Sequence, residues 1–133
     1  ESVLKLIEIM RVSMHKNKGV GLSANQIGKN LSIAVIENTK VNNPDESIPM
    51  HVLINPKIIK KTNPYQAIEG CLSLPNLEFK VERFENIEYY NTNLDNVVTI
   101  NKANGFFAQV IQHEVDHLEG KLICEVGTKN TYE

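Results

Sequence analysis

The chain has 133 residues, of which 41% are hydrophobic and 23% are charged, and its formal net charge is −2. These values are typical of one globular domain spanning residues 1–133, and the nearly neutral charge excludes a role dominated by electrostatic binding to nucleic acid or an anionic membrane. No apolar run approaches the roughly 20 residues that span a bilayer, and two cysteines are too few for a disulfide scaffold.

The N-terminal part is predicted to begin with a helix. Residues 1–15 form an amphipathic pattern, since apolar side chains recur every three or four positions from Val3 to Met14. Asn17 and Gly19 supply the stop signal. The following segment, 19–28, is predicted to be mostly loop. A strand is then expected at 31–37 and a surface loop at 39–49, because the latter is polar and contains two prolines.

The middle of the chain is predicted to consist of short strands. They are expected at 50–54, 57–61, 77–83, 86–91 and 97–101, with a hairpin turn at 93–96. A second helix is expected at about 104–118, with Asn104 as its N-cap and Gly120 as its stop. The predicted fold is therefore α+β, with short antiparallel or mixed strands packed around a central C-terminal helix.

The second helix contains the pattern His113-Glu114-Val115-Asp116-His117. Residues four apart lie on one face of a helix, so the two imidazoles can reach one metal ion. His113 also follows Phe106 and Val110 at helical spacing, which places this polar pattern on or beside a core-facing side. Burial without partners would cost several kcal/mol, so the pattern predicts a metal site.

A catalytic metal of this type needs a third protein ligand. The extended pattern with a third His six residues after His117 fails, because that position is Ile123. The upstream candidates are Cys71, His15 and His51. Cys71 has the best setting, because it lies in a loop-like stretch between two strand signals.

Three segments, in order, resemble the three motifs of peptide deformylases. They are Gly-Val-Gly-Leu-Ser-Ala-Asn-Gln at 19–26, Glu-Gly-Cys-Leu-Ser at 69–73 and Gln-His-Glu-Val-Asp-His-Leu-Glu-Gly at 112–120. One such segment would be weak evidence, whereas three in the right order are strong. Ser23 replaces the usual Ala, and Gln109 makes one predicted wall of the site more polar than usual.

The resemblance implies a role for each matched residue. It implies one divalent metal ion bound by Cys71, His113 and His117, usually Fe²⁺ in this family, with zinc, nickel or cobalt in some preparations. It makes Glu114 the general base and acid. It also makes the Gln26 side chain and the Leu72 backbone N–H the donors to the oxyanion.

The surroundings of the metal are assigned in the same way. Residues expected to contact the substrate are Val20, Gly21, Gly70 and Val110. Residues expected to support the metal ligands are Glu69, Arg83, Gln112 and Asp116, with Glu69 and Arg83 forming an ion pair. Val20 and Val110 serve equally well as plain core residues.

The resemblance implies hydrolysis of the formyl group from the initiator methionine of nascent polypeptides, at or near the ribosome. The expected location is the cytoplasm of a bacterium or phage-infected cell, or an organellar matrix if a transit peptide has been removed. The short chain suggests a compact, phage-type or N-terminally shortened member, acting as a monomer or weak dimer.

Three alternatives remain open from the residues themselves. The first is an HExxH metallopeptidase that cleaves peptide bonds. The second is a hydrolase with Cys71 as a nucleophile. The third is a non-catalytic relative that binds nascent chains or the ribosome.

Overall fold

Two helices and seven strands make up the described part of the chain. The elements are α1 (Ser2–Lys16), β1 (Gly21–Ser23), β2 (Ile33–Asn38), β3 (Ile48–Ile54), β4 (Lys57–Cys71), β5 (Leu74–Thr92), β6 (Val98–Asn104), α2 (Gly105–Leu118) and β7 (Thr128–Lys129). This computed structural model describes residues 2–17, 19–39, 42–71, 74–121 and 127–129, without the side chains of 71, 74–76, 128 and 129. Neither helix in this part of the chain is long and apolar enough to cross a membrane.

The first sheet contains β1, β2 and β3, all antiparallel, and is covered on both faces. Side chains alternate between the faces of a strand. Accordingly Ile33 and Val35 pack with the buried residues of α1, whereas Ala34 and Ile36 pack with those of α2. This double coverage explains why four consecutive apolar residues are buried in β2. The segment 19–28, predicted as mostly loop, contributes both the short strand β1 and a 3₁₀ turn at Ala24–Ile27.

The second sheet is built on a long antiparallel hairpin of β4 and β5, to which β6 and β7 add. The predicted strand at 57–61 was too short, and those at 77–83 and 86–91 are one strand. Asn63 and Pro64 misled the prediction, because such residues ordinarily mark a turn. Here Asn63 has a φ of 61° and Pro64 still pairs with Phe84. Residues 69–71, expected to be loop-like, belong to β4.

The helix α2 lies between the two sheets and is fixed to the second by Gln112. This buried side chain accepts a hydrogen bond from the Phe84 N–H at 2.9 Å and donates to the Phe84 carbonyl at 2.9 Å. It therefore pairs with β5 as another strand would. Gly105, with a φ of 60°, turns the chain from β6 into the helix. The predicted α+β fold is confirmed, and all its strand pairs are antiparallel.

A buried asparagine joins the two sheets. The Asn91 side chain, on β5, accepts a hydrogen bond from the Ile54 N–H at 2.7 Å and donates to the Val52 carbonyl at 2.9 Å. These two backbone groups at the edge of β3 are thus hydrogen-bonded by a side chain instead of by a neighbouring strand. The hairpin turn predicted at 93–96 is present, and Asn93 N–H donates to the Val97 carbonyl at 2.9 Å.

Candidate active site

The two histidines of α2 point their ring nitrogens at each other. The Nε2 atoms of His113 and His117 are 3.0 Å apart, and the ring centroids are 4.7 Å apart. Two nitrogen ligands on one tetrahedral ion, each at about 2.0 Å, lie about 3.3 Å apart. Burial lowers the pKa of His117 to about 4, which keeps its imidazole in the neutral form that binds metals. The spacing of the two nitrogens is therefore compatible with two ligands of one ion.

A buried charge network holds His113 in place. Its Nδ1 lies 2.9 Å from Glu69 Oε1, and Glu69 accepts two hydrogen bonds from Arg83, at 2.8 and 2.7 Å. Burial alone would raise the pKa of Glu69, but hydrogen bonds from Arg83 and His113 lower it to about 2. An ionised Glu69 can only accept a hydrogen bond from the Nδ1–H of His113. In that tautomer the Nε2 lone pair of His113 is available for a metal.

Arg83 is shared between two carboxylates. Besides Glu69, it donates to Asp116 Oδ2 at 2.6 Å, and its side chain is only 4% exposed. The ion pair expected from the resemblance thus also fixes the last turn of α2 to β5. Gln112, expected to support a ligand histidine, directs its described hydrogen bonds to the backbone of Phe84 and Ala108 instead.

Glu114 is buried beside the two histidines without a hydrogen-bond partner for one oxygen. Its exposed fraction is 3%, and no described residue lies within hydrogen-bonding distance of its Oε1. Burial raises the pKa of this carboxyl to about 7. Because a buried, unpaired carboxylate oxygen is costly, it indicates a site built for a ligand, a water molecule or a metal-bound group. The histidine pair and this orphaned oxygen together fit a divalent metal ion with a reactive water.

The first motif supplies a second polar group to the same site. The N–H of Ser23 donates to Gln26 Oε1 at 2.9 Å. A backbone N–H can only donate, so this bond fixes which end of the carboxamide is oxygen. The amide nitrogen of Gln26 is left to donate elsewhere, and Gln26 lines the cavity described next.

Four of these residues, Gln26, Glu69, His113 and Glu114, border one cavity of about 410 Å³, whereas His117, Arg83 and Asp116 are not among the residues that line it. It brings together eight of the predicted site residues, namely Val20, Gly21, Gln26, Glu69, Gly70, Val110, His113 and Glu114. Such a volume is suitable for a small ligand or an amino acid side chain.

Two predicted site residues lie wholly or partly outside the described part of the chain. The backbone of Cys71 pairs with that of Leu74 at the end of the β4–β5 hairpin, but its side chain is not described. Leu72 is outside the described residues altogether. Their roles as metal ligand and oxyanion donor stay predictions.

The two alternative third ligands are engaged elsewhere. His15 Nε2 lies 2.6 Å from Glu37 on the far side of the first sheet. His51 contacts the Tyr89 hydroxyl at 3.1 Å and packs against Phe107. Among the side chains that the structure describes, no group of three His, Cys, Asp or Glu residues is placed to hold a metal.

Sequence reasoning missed several residues of the site. Asn25 donates through Nδ2 to the His117 carbonyl at 2.6 Å and so links the first motif to the end of α2. Phe106, Ile68 and Gly19 also line the cavity. The helical spacing of Phe106 before His113 was a usable signal, whereas nothing local in the sequence marks Asn25 or Ile68. Gln109, predicted as a polar wall of the site, does line the cavity.

Comparisons with known proteins match almost the whole chain. A family model described as "Polypeptide deformylase" matches residues 1–131. A peptide deformylase of Dictyoglomus thermophilum is 40% identical over 131 residues, covering 98% of this chain and 80% of that protein.

Two solved structures are similar across almost the whole chain. A Met-Ala-Ser-bound class I type b peptide deformylase from Acinetobacter baumannii has a TM-score of 0.85 at 29% identity, covering 95% of this chain and 81% of that one. A probable peptide deformylase from Synechococcus phage S-SSM7 has a TM-score of 0.82 at 33% identity, covering 94% and 83%.

Proposed function

The chain belongs to the polypeptide deformylase family, and on that premise we propose that the cavity beside α2 is its active site. The enzyme is a metal-dependent hydrolase that removes the formyl group from the initiator methionine of nascent polypeptides. Water adds to the formyl carbon, the C–N bond breaks, and formate and a peptide with a free amine are released. The observation that carries the site assignment is the buried Glu114 carboxylate beside the paired imidazoles, with one oxygen that has no partner among the described residues.

Cys71, His113 and His117 would hold the metal ion. Cys71 is favoured as the third ligand because it follows Gly70, which lines the same cavity as His113, and because His15 and His51 have other partners. A thiolate with two imidazoles suits iron, zinc, nickel and cobalt alike. When bound, the cation acts as a Lewis acid, polarising the formyl oxygen and making water acidic near neutral pH.

Glu114 moves the protons of the reaction. Its carboxylate takes a proton from the attacking water and delivers a proton to the nitrogen of the leaving amine. Both transfers need a carboxylate with a free oxygen that faces the substrate. Burial of Glu114, which is 3% exposed, keeps its carboxylate from being hydrated by bulk water.

The Gln26 side chain and the Leu72 backbone N–H are proposed to stabilise, by hydrogen bonds, the negative charge that develops on the formyl oxygen. The Ser23 N–H fixes the Gln26 carboxamide with its nitrogen free to donate, and the Leu72 N–H would add a second donor. Losing one such donor typically costs about 100- to 1000-fold in rate.

The substrate would lie along the cavity wall. Val20 and Val110 are proposed to contact the methionine side chain, while Gly21 and Gly70 let the backbone approach closely. Glu69, held by Arg83, keeps His113 in the correct tautomer. Asp116 and Gln112 support the ligands less directly, because they fix α2 to β5.

The finer properties follow from the resemblance and the chemistry of the substrate. We propose Fe²⁺ as the physiological ion, with residues 1–133 acting as one catalytic domain. Formylated nascent chains exist where bacterial-type translation occurs. This favours action near the ribosome, in the cytoplasm. The proposed oligomeric state is a monomer or weak dimer. Metal analysis of anaerobically purified protein, followed by sedimentation, tests the ion and the oligomeric state.

A formate-release assay with formyl-Met-Ala-Ser tests the function. The metal-loaded protein should release formate and leave unformylated Met-Ala-Ser intact, whereas a metallopeptidase would cleave the peptide bonds. Glu114→Ala should retain the metal and lose activity, because it removes the proton carrier but no ligand. Glu119→Ala is the matched control, since Glu119 is an exposed glutamate just after α2 that pairs with Lys121.

A second pair of variants tests the third ligand. Cys71→Ala should lose the metal, while Cys124→Ala, at the other cysteine of the chain, should keep it. A fully metallated and active Cys71→Ala protein would refute the ligand assignment. An acyl-thiol intermediate trapped on Cys71 would favour the nucleophile alternative instead.

A further inference from the structure

One wall of the cavity carries a polar side chain among apolar ones. Phe106, Gln109, Val110 and His113 follow the helical spacing i, i+3, i+4, i+7, and all four line the cavity. Gln109 thus lies four residues, about 6 Å along the helix axis, before His113. Val20 and Ile68 line the same space. On this wall, a group entering beside His113 therefore meets the amide of Gln109 between the apolar side chains of Phe106 and Val110.

Tyr65 contacts the oxygen end of this amide. Its hydroxyl, on β4, donates to Gln109 Oε1 at 3.0 Å. Tyr65 is not among the residues lining the cavity, so it approaches the carboxamide from the sheet side. In the part of the chain that the structure describes, no residue accepts a hydrogen bond from the Gln109 amide nitrogen. The side-chain N–H of Gln109 is therefore available to donate a hydrogen bond to a group in the cavity.

A donor in this position affects which side chains bind well. An apolar ligand that covers the N–H leaves it without a partner, which is unfavourable. A thioether sulfur is only a weak acceptor, whereas a sulfoxide oxygen is a strong one. Oxidation of methionine to its sulfoxide adds such an oxygen near the end of the side chain.

We propose that Gln109 is a specificity-determining residue that donates a hydrogen bond to the first side chain of the substrate. The enzyme thereby accepts formyl peptides whose first residue is methionine sulfoxide as well as methionine. This inference rests on the proposed function, because it assumes that the first side chain occupies this cavity. Tyr65 acts as a positioning residue that holds the donor in the correct orientation.

The test compares three formyl tripeptides that differ only in the first residue, which is methionine, norleucine or methionine sulfoxide. Norleucine is nearly isosteric with methionine but has no acceptor. In Gln109→Leu, the ratio of kcat/KM for the sulfoxide to that for norleucine should fall about tenfold, the contribution of one neutral hydrogen bond. The change should appear mainly in KM, because the hydrogen bond forms in the ground state and the transition state alike.

Gln109→Glu is the second variant and keeps the fold. Its carboxylate still accepts from Tyr65 but has no N–H to donate, so the same ratio should fall at least as far as in Gln109→Leu. An unchanged ratio in both variants, with formyl-methionine still hydrolysed, would overturn the inference and leave the proposed function intact. Failure of the metal-loaded wild type to release formate from any of the three peptides would overturn the proposed function itself.

Discussion

Gly21→Ala should misplace the carboxylate on which the reaction depends. A methyl group built on Gly21 would lie 2.5 Å from Glu114 Oε2 and 2.9 Å from its Cδ. The φ of Gly21 lies outside the left-handed region, so alanine is compatible with the backbone and the conflict is purely steric. Either Glu114 or the β1 backbone must move.

The size of the effect follows from these distances. Ordinary contact begins at about 3.4 Å, so the two groups must separate by about 0.9 Å. A misplacement of about 1 Å typically costs about 100-fold in rate. Overpacking of a buried site costs about 1–3 kcal/mol of stability. We therefore expect Gly21→Ala to lower kcat for formyl-Met-Ala-Ser about 100-fold and to destabilise the fold measurably.

A double-mutant cycle separates this steric conflict from other effects. In a Glu114→Ala background the obstructing carboxylate is absent, so adding Gly21→Ala should be neutral or stabilising by up to about 1 kcal/mol. Urea unfolding measures both backgrounds. For the stability measurement Gly70→Ala is the matched control, because its new methyl would meet nothing closer than 3.6 Å; it is not a control for kcat, since Gly70 is proposed to contact the substrate. Equal stability changes in the two backgrounds, or undiminished kcat in Gly21→Ala, would refute the reasoning.

Two further predictions concern stability. Asn91→Leu leaves the Ile54 N–H and the Val52 carbonyl without their side-chain partner, so urea unfolding should show a loss of about 2–4 kcal/mol; a loss below 0.5 kcal/mol, as at an ordinary surface site, would contradict the bridging role. The hydrogen bond from Arg11 holds the pKa of Glu37 below its ordinary value of 4.5. The stability this provides is present above pH 4.5 and lost as the pH falls through the lower folded value. Between pH 7 and pH 2 the melting temperature should therefore fall more steeply in the wild type than in Glu37→Gln. Parallel curves of melting temperature against pH would contradict the assignment.

The sequence predicted the chemistry of α2 well because that chemistry follows from a local rule. Helical periodicity alone places His113 and His117 on one face, and the structure brings their Nε2 atoms within 3.0 Å. The helix bounds were also close to those observed. Strand extents were predicted less well. Asn63 and Pro64 have turn-forming propensity, but pairing with β5 overrides it.

The residues that complete the site could not be predicted in this way. Glu69 reaches His113 across a separation of 44 residues, and Tyr65 reaches Gln109 across the same separation. Asn25 reaches the His117 carbonyl across 92 residues. No periodic pattern connects positions so far apart, because their contact depends on how the sheets pack around α2.

The amino-acid sequence by itself therefore determined which donor atoms the second helix presents and, through its three motifs, the family of reactions. Only the tertiary structure decided which nitrogen of His113 meets Glu69, which oxygen of Glu114 has no partner among the described residues and which residue contacts the Gln109 amide. The physical reason is that spacing along one helix fixes direction, whereas protonation, orientation and burial depend on neighbours supplied by other parts of the chain.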